Sequence, residues 1–154
     1  MAEPKKILFV CTGNTCRSAM AAAMMNDIAV KKNLNVLIDS AGVFAEPGDR
    51  ASEEAVHAMA VRGIDLTEHR AKPLTQEIID MADVVLTMTE AHKMILAQAC
   101  GGKVYTLLEY AGGKGDIADP FGGDFEEYNA AADEIYSALV NISHKFEDNP
   151  KENA

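Results

Sequence analysis

The sequence predicts an α/β fold: a single domain on a parallel four-stranded sheet flanked by helices on both faces. Three observations lead there. Strand and helix signals alternate along the whole 154-residue chain, an order that produces right-handed crossovers and parallel strands. The first strand signal is a continuous apolar run, as a strand covered on both faces requires. No linker is long enough to divide the chain and no internal repeat occurs, so residues 1–146 read as one domain and 147–154 as a polar, frayed tail.

Each element has its own warrant. Ile7-Leu8-Phe9-Val10 is the central strand. Ser18–Val30, rich in Ala and Met and free of Gly and Pro, is a well-buried helix. Val36-Leu37-Ile38 is the second strand, ended by Asp39-Ser40-Ala41-Gly42. Ser52–Arg62 places Ala55, Val56, Met59 and Ala60 on one side of a helix, with Gly63 as its stop. Thr75–Met81 is a short helix with Thr75 as N-cap after Pro73. Val84-Val85-Leu86 is the third strand, Glu90–Ala99 a helix stopped by Gly101-Gly102, and Val104-Tyr105-Thr106 a short fourth strand. A Gly-rich loop, Gly112–Gly123, leads into a long final helix from about Phe125 to Lys145.

Composition excludes several function classes. The chain is 48% apolar and carries 14 Lys+Arg against 24 Asp+Glu, a net charge of −10. Such a chain is neither disordered nor fibrous. Its longest wholly apolar stretch, Ala19–Met25, is far below the ~20 residues of a membrane span, and Ile7–Cys11 is too short for a signal-peptide core. The expectation is a soluble, cytoplasmic protein. With no basic cluster to meet phosphates, nucleic acid and anionic membrane are not expected partners. The three cysteines, Cys11, Cys16 and Cys100, are too few and too odd in number for a disulfide framework. With the four histidines scattered, half of any zinc ligand set is missing, so no metal is expected.

In a parallel sheet, ligands bind beyond the carboxyl ends of the strands, where the topology changes direction. The segment following the first strand reads Cys11-Thr12-Gly13-Asn14-Thr15-Cys16-Arg17-Ser18 and runs straight into a helix. The N–H groups of a tight loop feeding a helix make an anion cradle. Gly13 permits the angles that curl such a loop, and Asn14 tolerates left-handed geometry. Arg17 adds a planar, permanently charged fork suited to phosphate oxygens. A cysteine beside a helix N-terminus and a cation is favoured in its nucleophilic form. The Gly-Lys-Ser/Thr ending of nucleotide-binding loops is missing. A Cys-x5-Arg pair alone arises by chance roughly 0.08 of the time in such a chain; the preceding buried strand, the internal Gly and Asn and the helix beyond make it specific.

Cys-Thr-Gly-Asn-Thr-Cys-Arg-Ser resembles the signature of the low-molecular-weight phosphotyrosine phosphatase family, more closely its bacterial protein-arginine phosphatase branch. Asp39-Ser40-Ala41-Gly42, His69-Arg70-Ala71, Met88–His92 and Asp119–Gly123 resemble further family segments, in order along nearly the whole chain. The resemblance implies a phosphatase domain over 1–146 acting on phosphorylated proteins without cofactor. Cys11 would attack phosphorus and form a cysteinyl-phosphate, while Arg17 and the loop amides hold the equatorial oxygens. Asp119 would protonate the leaving group and then activate water. Ser18 would donate to the Cys11 sulfur, and Asn14, Ser40 and His69 would support the loop.

Two positions separate the branches. Tyrosine-directed members typically carry Ile at the position of Thr15 and Tyr after the Asp-Pro, where this chain has Phe121. A small hydroxyl at Thr15 leaves room and polarity for a guanidinium, which favours phosphoarginine; the alternative is phosphotyrosine. One departure from the family is Ala19, where Pro commonly stands, implying a slightly less rigid loop. Cys16 is either a redox partner for Cys11, closing a protective intraloop disulfide, or a small buried residue. Arsenate reductase shares this loop but needs further cysteines after the third strand, and Met88–Ala99 has none. A non-catalytic phosphate-binding module would not need Cys11, Arg17 and Asp119 together. Oligomeric state is not written in the sequence.

Overall fold

The computed structural model describes residues 3–147. Apart from Glu147, which is tied to Lys32 Nζ at 2.9 Å, the expected frayed tail over 147–154 lies outside the described residues. Four strands occur among these residues: β1 (Lys5–Cys11), β2 (Val36–Gly42), β3 (Val84–Thr87) and β4 (Val104–Thr106). Six α-helices accompany them: α1 (Arg17–Lys32), α2 (Glu53–Ala60), α3 (Gln76–Met81), α4 (Glu90–Cys100), α5 (Leu107–Tyr110) and α6 (Phe125–Ser143). The sheet order is β2-β1-β3-β4 and every pairing is parallel. After β2 the chain crosses to the other side of β1, so the direction switches between β1 and β3. The loops that leave the carboxyl ends of β1 and β3 therefore flank one crevice.

The continuous run of β1 is buried on both faces. Ile7 and Phe9 share one core with Met20, Met24, Met59, Tyr128 and Ile135 from α1, α2 and α6. Leu8 and Val10 share another with Ile79, Leu96 and Cys100 from α3 and α4. Enclosing each large side chain of this kind contributes about 1.5–3 kcal/mol. Caps mark most helix starts: Ser52, Thr75, Thr89, Thr106 and Asp124 each accept from a backbone N–H one turn on. No helix among the described residues is long and apolar enough to cross a membrane.

Several boundaries differ from the sequence reading, for identifiable reasons. β2 does not end at Ile38. It continues through Asp39-Ser40-Ala41-Gly42 because β1 pairs with it to the last residue, Cys11 opposite Gly42. α2 stops at Ala60 rather than Arg62, and Gly63 (φ 75°) turns the chain so that Ile64 N–H bonds back to the Met59 carbonyl at 3.0 Å. α6 tightens into a 3-10 turn at His144–Phe146 instead of running on to Lys145. Leu107–Tyr110, given no element in the sequence reading, forms one turn closed by a capping box between Thr106 and Glu109.

Candidate active site

β1 delivers Cys11 to the end of the sheet, buried, and the next residues curl into the start of α1. The curl depends on Asn14, which takes the left-handed conformation at φ 57°. Asn14 thus uses the left-handed tolerance expected of it, whereas the freedom expected of Gly13 is not drawn on: it has no positive φ, and a Cβ there would meet only Thr15 Oγ1 at 3.7 Å. The left-handed turn falls to Asn14 because its side chain is fully committed. Lys72 N–H donates to Asn14 Oδ1 at 3.1 Å, which directs Nδ2 toward the hydroxyls of Ser18 (2.7 Å) and Ser40 (3.0 Å). The Asn14 carbonyl accepts from His69 Nε2 at 2.6 Å. Since a carbonyl can only accept, that nitrogen carries the proton.

Ser18 Oγ lies 2.9 Å from Cys11 Sγ. Because Ser18 already accepts from Asn14, its own proton is available to the sulfur. Ser18 is the second residue of α1 and caps nothing; the N-cap is Cys16, which makes no side-chain capping bond. The loop's carbonyls are drawn outward. Cys11 O accepts from Val43 N, Thr12 O from Phe44 N, and Thr15 O from Ser52 N, all at 2.9–3.0 Å. Among the described residues, the N–H groups of Thr12, Gly13, Asn14 and Thr15 have no protein acceptor. With their carbonyls engaged elsewhere, these donors form a cradle for an oxyanion.

Arg17 is the buried cation of the cradle. Its Nη1 donates to the Ile117 carbonyl at 2.9 Å, and its Nη2 lies 3.5 Å from Asp119 Oδ2. Its Nε is shut off from solvent and has no protein partner. A buried donor of this kind costs about 1–3 kcal/mol when left unmet, and a ligand oxyanion would meet it. Ile117 fixes the Gly-rich loop: its side chain is fully buried and its N–H donates to Met88 O at 2.9 Å. Asp116 accepts from Glu90 N–H at 2.8 Å, at the start of α4. Two residues beyond this anchor, Asp119 is half exposed and accepts from Phe121 N–H at 3.1 Å.

Cys16 is buried, and burial, followed by the charge of Cys11, pushes its thiol up to about 11. It is therefore a protonated thiol at neutral pH. Cys100 lies in the core on the other face of the sheet. Two large apolar side chains stand in solvent on the rim, Phe44 and Phe121, 78% and 76% exposed. An apolar groove of about 250 Å3 between Leu8, Leu37, Ile78 and Met81 lies away from the loop and holds none of these groups.

The structure thus gathers Cys11, the Thr12–Ser18 loop, Ser40, His69 and Asp119 in one place, with Phe121 on the rim. Sequence reasoning did not single out Phe44, Asp116, Ile117 or His92 as site residues. His92 lies 2.9 Å from Thr12 Oγ1 through its Nε2. The Met88–His92 segment carried the only sequence signal for it.

A family model described as low molecular weight phosphotyrosine protein phosphatase matches residues 6–152. A protein-arginine-phosphatase of Bacillus subtilis (strain 168) is 46% identical over 144 residues, 91% of this chain and 95% of its own. A solved structure of an arginine phosphatase, a Cys-to-Ser mutant with a phosphorylated active-site serine, superposes with a TM-score of 0.87 at 45% identity, covering 91% of this chain and 94% of that one. The low molecular weight protein tyrosine phosphatase of T. tengcongensis superposes with a TM-score of 0.89 at 39% identity, covering 92% and 99%.

Proposed function

Because the chain belongs to the low molecular weight phosphotyrosine protein phosphatase family, we propose that it removes phosphate from phosphoarginine in proteins through a cysteinyl-phosphate on Cys11. One arrangement carries the reading: a buried cysteine at the floor of a loop whose amides and Arg17 Nε face no protein acceptor. In the first step the Cys11 sulfur attacks phosphorus while Ser18 donates to it. The loop amides and Arg17 hold the three equatorial oxygens as charge spreads over them. Asp119 delivers a proton to the departing nitrogen, then takes one from the water that cleaves the S–P bond and frees inorganic phosphate. The network of Asn14, Ser40 and His69 serves by holding the loop's shape before substrate arrives.

The likeness to relatives named protein-arginine phosphatases supports the choice of substrate, as do Thr15 and the absence of Tyr after Pro120. A guanidinium offers only N–H donors, and Thr15 Oγ1 and the Asp119 carboxylate are acceptors suited to them. The exposed rings of Phe44 and Phe121 favour a second reading, phosphotyrosine, whose phenol ring they could flank. Turnover of matched phosphoarginine and phosphotyrosine peptides decides between them. We expect phosphoarginine to be preferred and Cys11→Ser to abolish turnover; a clear phosphotyrosine preference overturns the substrate, and an active Cys11→Ser protein overturns the mechanism.

A cytoplasmic, redox-sensitive enzyme fits the same residues. Peroxide would oxidise Cys11 to the sulfenic acid, and attack by the Cys16 sulfur would expel water and close a disulfide within the loop. Thiol reductant would reopen it. Recovery by thiol that is identical in wild type and Cys16→Ser counts against this role.

A further inference from the structure

His92 is the third residue of α4, and its ring is buried between that helix and the loop after β1. Its two nitrogens are in unlike situations. Nε2 lies 2.9 Å from Thr12 Oγ1, whereas Nδ1 is closed off from solvent with no partner among the described residues. A neutral imidazole has one N–H and one lone pair to distribute. Placing the proton on Nδ1 would leave a buried N–H with no acceptor, the rarer and costlier kind of unmet group. Placing it on Nε2 leaves only an unused lone pair. The imidazolium would strand the same N–H and add a positive charge near Arg17. In keeping with that, burial and then Arg17 hold the His92 pKa below its ordinary value.

The direction of the hydrogen bond follows, and it matters for Thr12. We propose that His92 is a positioning residue for the dephosphorylation, donating from Nε2–H to Thr12 Oγ1 and leaving the Thr12 hydroxyl hydrogen free for an oxygen of the phosphoryl group in the loop. This rests on the phosphatase reading above. Thr12 is well placed to donate there, since it follows Cys11 directly, is exposed, and has its carbonyl held at 2.9 Å by Phe44 N–H. Its hydroxyl has no protein partner besides His92 among the described residues. The opposite tautomer would spend that hydrogen on the imidazole and present only lone pairs to the phosphoryl oxygens, which repel them. A histidine in the first turn of α4 thereby sets the donor character of a threonine on the loop after β1.

Two measurements test this. In 15N-labelled protein, with His92 assigned by its disappearance in His92→Gln, Nε2 is expected to resonate as the protonated nitrogen and Nδ1 as the bare one at pH 7; the reverse overturns the proposal. In turnover of an aryl phosphate, Thr12→Val and His92→Ala are each expected to lower kcat/KM about tenfold. The double variant should be no worse than Thr12→Val, while Thr12→Ser and His92→Gln, which keep a hydroxyl and a donor, retain most activity. Wild-type kcat/KM in Thr12→Val, or strictly multiplicative losses in the double variant, overturns it even if His92→Ala is merely less stable. Affinity for inorganic phosphate separates this inference from the phosphatase reading. A wild type without turnover refutes the reading, yet about tenfold weaker phosphate binding in Thr12→Val still supports the role of Thr12, and unchanged binding refutes it.

Discussion

Replacing Gly42 with alanine is a small change that should be felt at the reacting phosphorus. Gly42 is the last residue of β2, beside the loop that follows β1. A Cβ there would sit 2.5 Å from the Thr12 carbonyl oxygen, 2.9 Å from the Asn14 nitrogen and 3.0 Å from Ala45 Cβ. Relieving the closest contact needs a shift of about 1 Å toward ordinary non-bonded distances. The two nearest of these atoms are backbone and the third is an alanine Cβ, so no rotamer change relieves them. The Thr12 carbonyl is also tied to Phe44 N–H and the Cys11 carbonyl to Val43 N–H, so the loop cannot retreat without stretching those bonds. A displacement of this size in groups that position a reacting centre costs about 100-fold in rate, and the overpacking itself about 1–3 kcal/mol of stability. The assay is kcat/KM on an aryl phosphate for Gly42→Ala beside a urea unfolding curve. Gly102→Ala serves as control, because its Cβ would meet nothing within 4 Å. A Gly42→Ala protein within about threefold of wild-type kcat/KM would overturn this expectation, since it would mean the loop tolerates an ångström-scale shift.

Three further predictions address other parts of the site. Asp119→Asn should cost at least about 100-fold on substrates with poorly departing groups and far less on an activated aryl phosphate; equal losses on both would remove Asp119 from the role of acid. Thr15→Ile should lower turnover of phosphoarginine peptides and raise the ratio of phosphotyrosine to phosphoarginine turnover, and an unchanged ratio would deprive Thr15 of its part in selectivity. Cys16 affects alkaline stability: its thiol holds its proton to about 11 when folded against an ordinary value of 9.0. The native state therefore binds more protons than the unfolded state across that window. Its contribution is complete below pH 9 and is lost as the pH rises toward 11, on the order of 2 kcal/mol in all. Cys16→Ser should flatten that part of the fall in urea midpoint, and an unaltered slope between pH 9 and 11 would contradict the assignment.

The sequence made the scaffold legible because its signals there are local. The apolar run of β1, the Thr75 cap and the stops at Gly63 and Gly101 each depend on neighbours a few residues away. Asp39–Gly42 misled for a related reason. Asp, Ser and Gly are poor strand formers, and what keeps them extended is pairing with β1, a long-range constraint. The support of the loop had no local signal at all: Asn14 meets Ser40, His69 and Lys72 across 26 to 58 residues of chain. Only likeness to known segments raised Ser40 and His69 above ordinary polar residues. Of the two residues expected to let the loop curl, Asn14 takes the left-handed turn and Gly13 does not, because a side chain with several acceptors and donors in reach outweighs the glycine's freedom. His92 was missed as a site residue because a single histidine on an amphipathic helix does not reveal what its ring faces 80 residues away.

The net charge of −10 and a site built for phosphate are reconciled by distance and burial. Beyond about 8 Å, exposed carboxylates are screened at physiological ionic strength, so most of the acidic surface contributes little at the Cys11 sulfur. What acts there is close and shielded from water: loop amides with their carbonyls turned outward, and Arg17 tied through Nη1 to Ile117 O. Arg17 Nε has no protein partner and Nη2 lies near Asp119, so in the proposed mechanism one guanidinium holds the phosphoryl group and registers the acid. Asp119, half exposed and anchored two residues upstream by Ile117, is the acidic side chain in contact with that cation. A carboxylate in that position opposes phosphate binding, yet the acid–base role proposed for Asp119 requires it there. The buried Arg17 and the unpaired amides are the local counterweight that makes its presence tolerable.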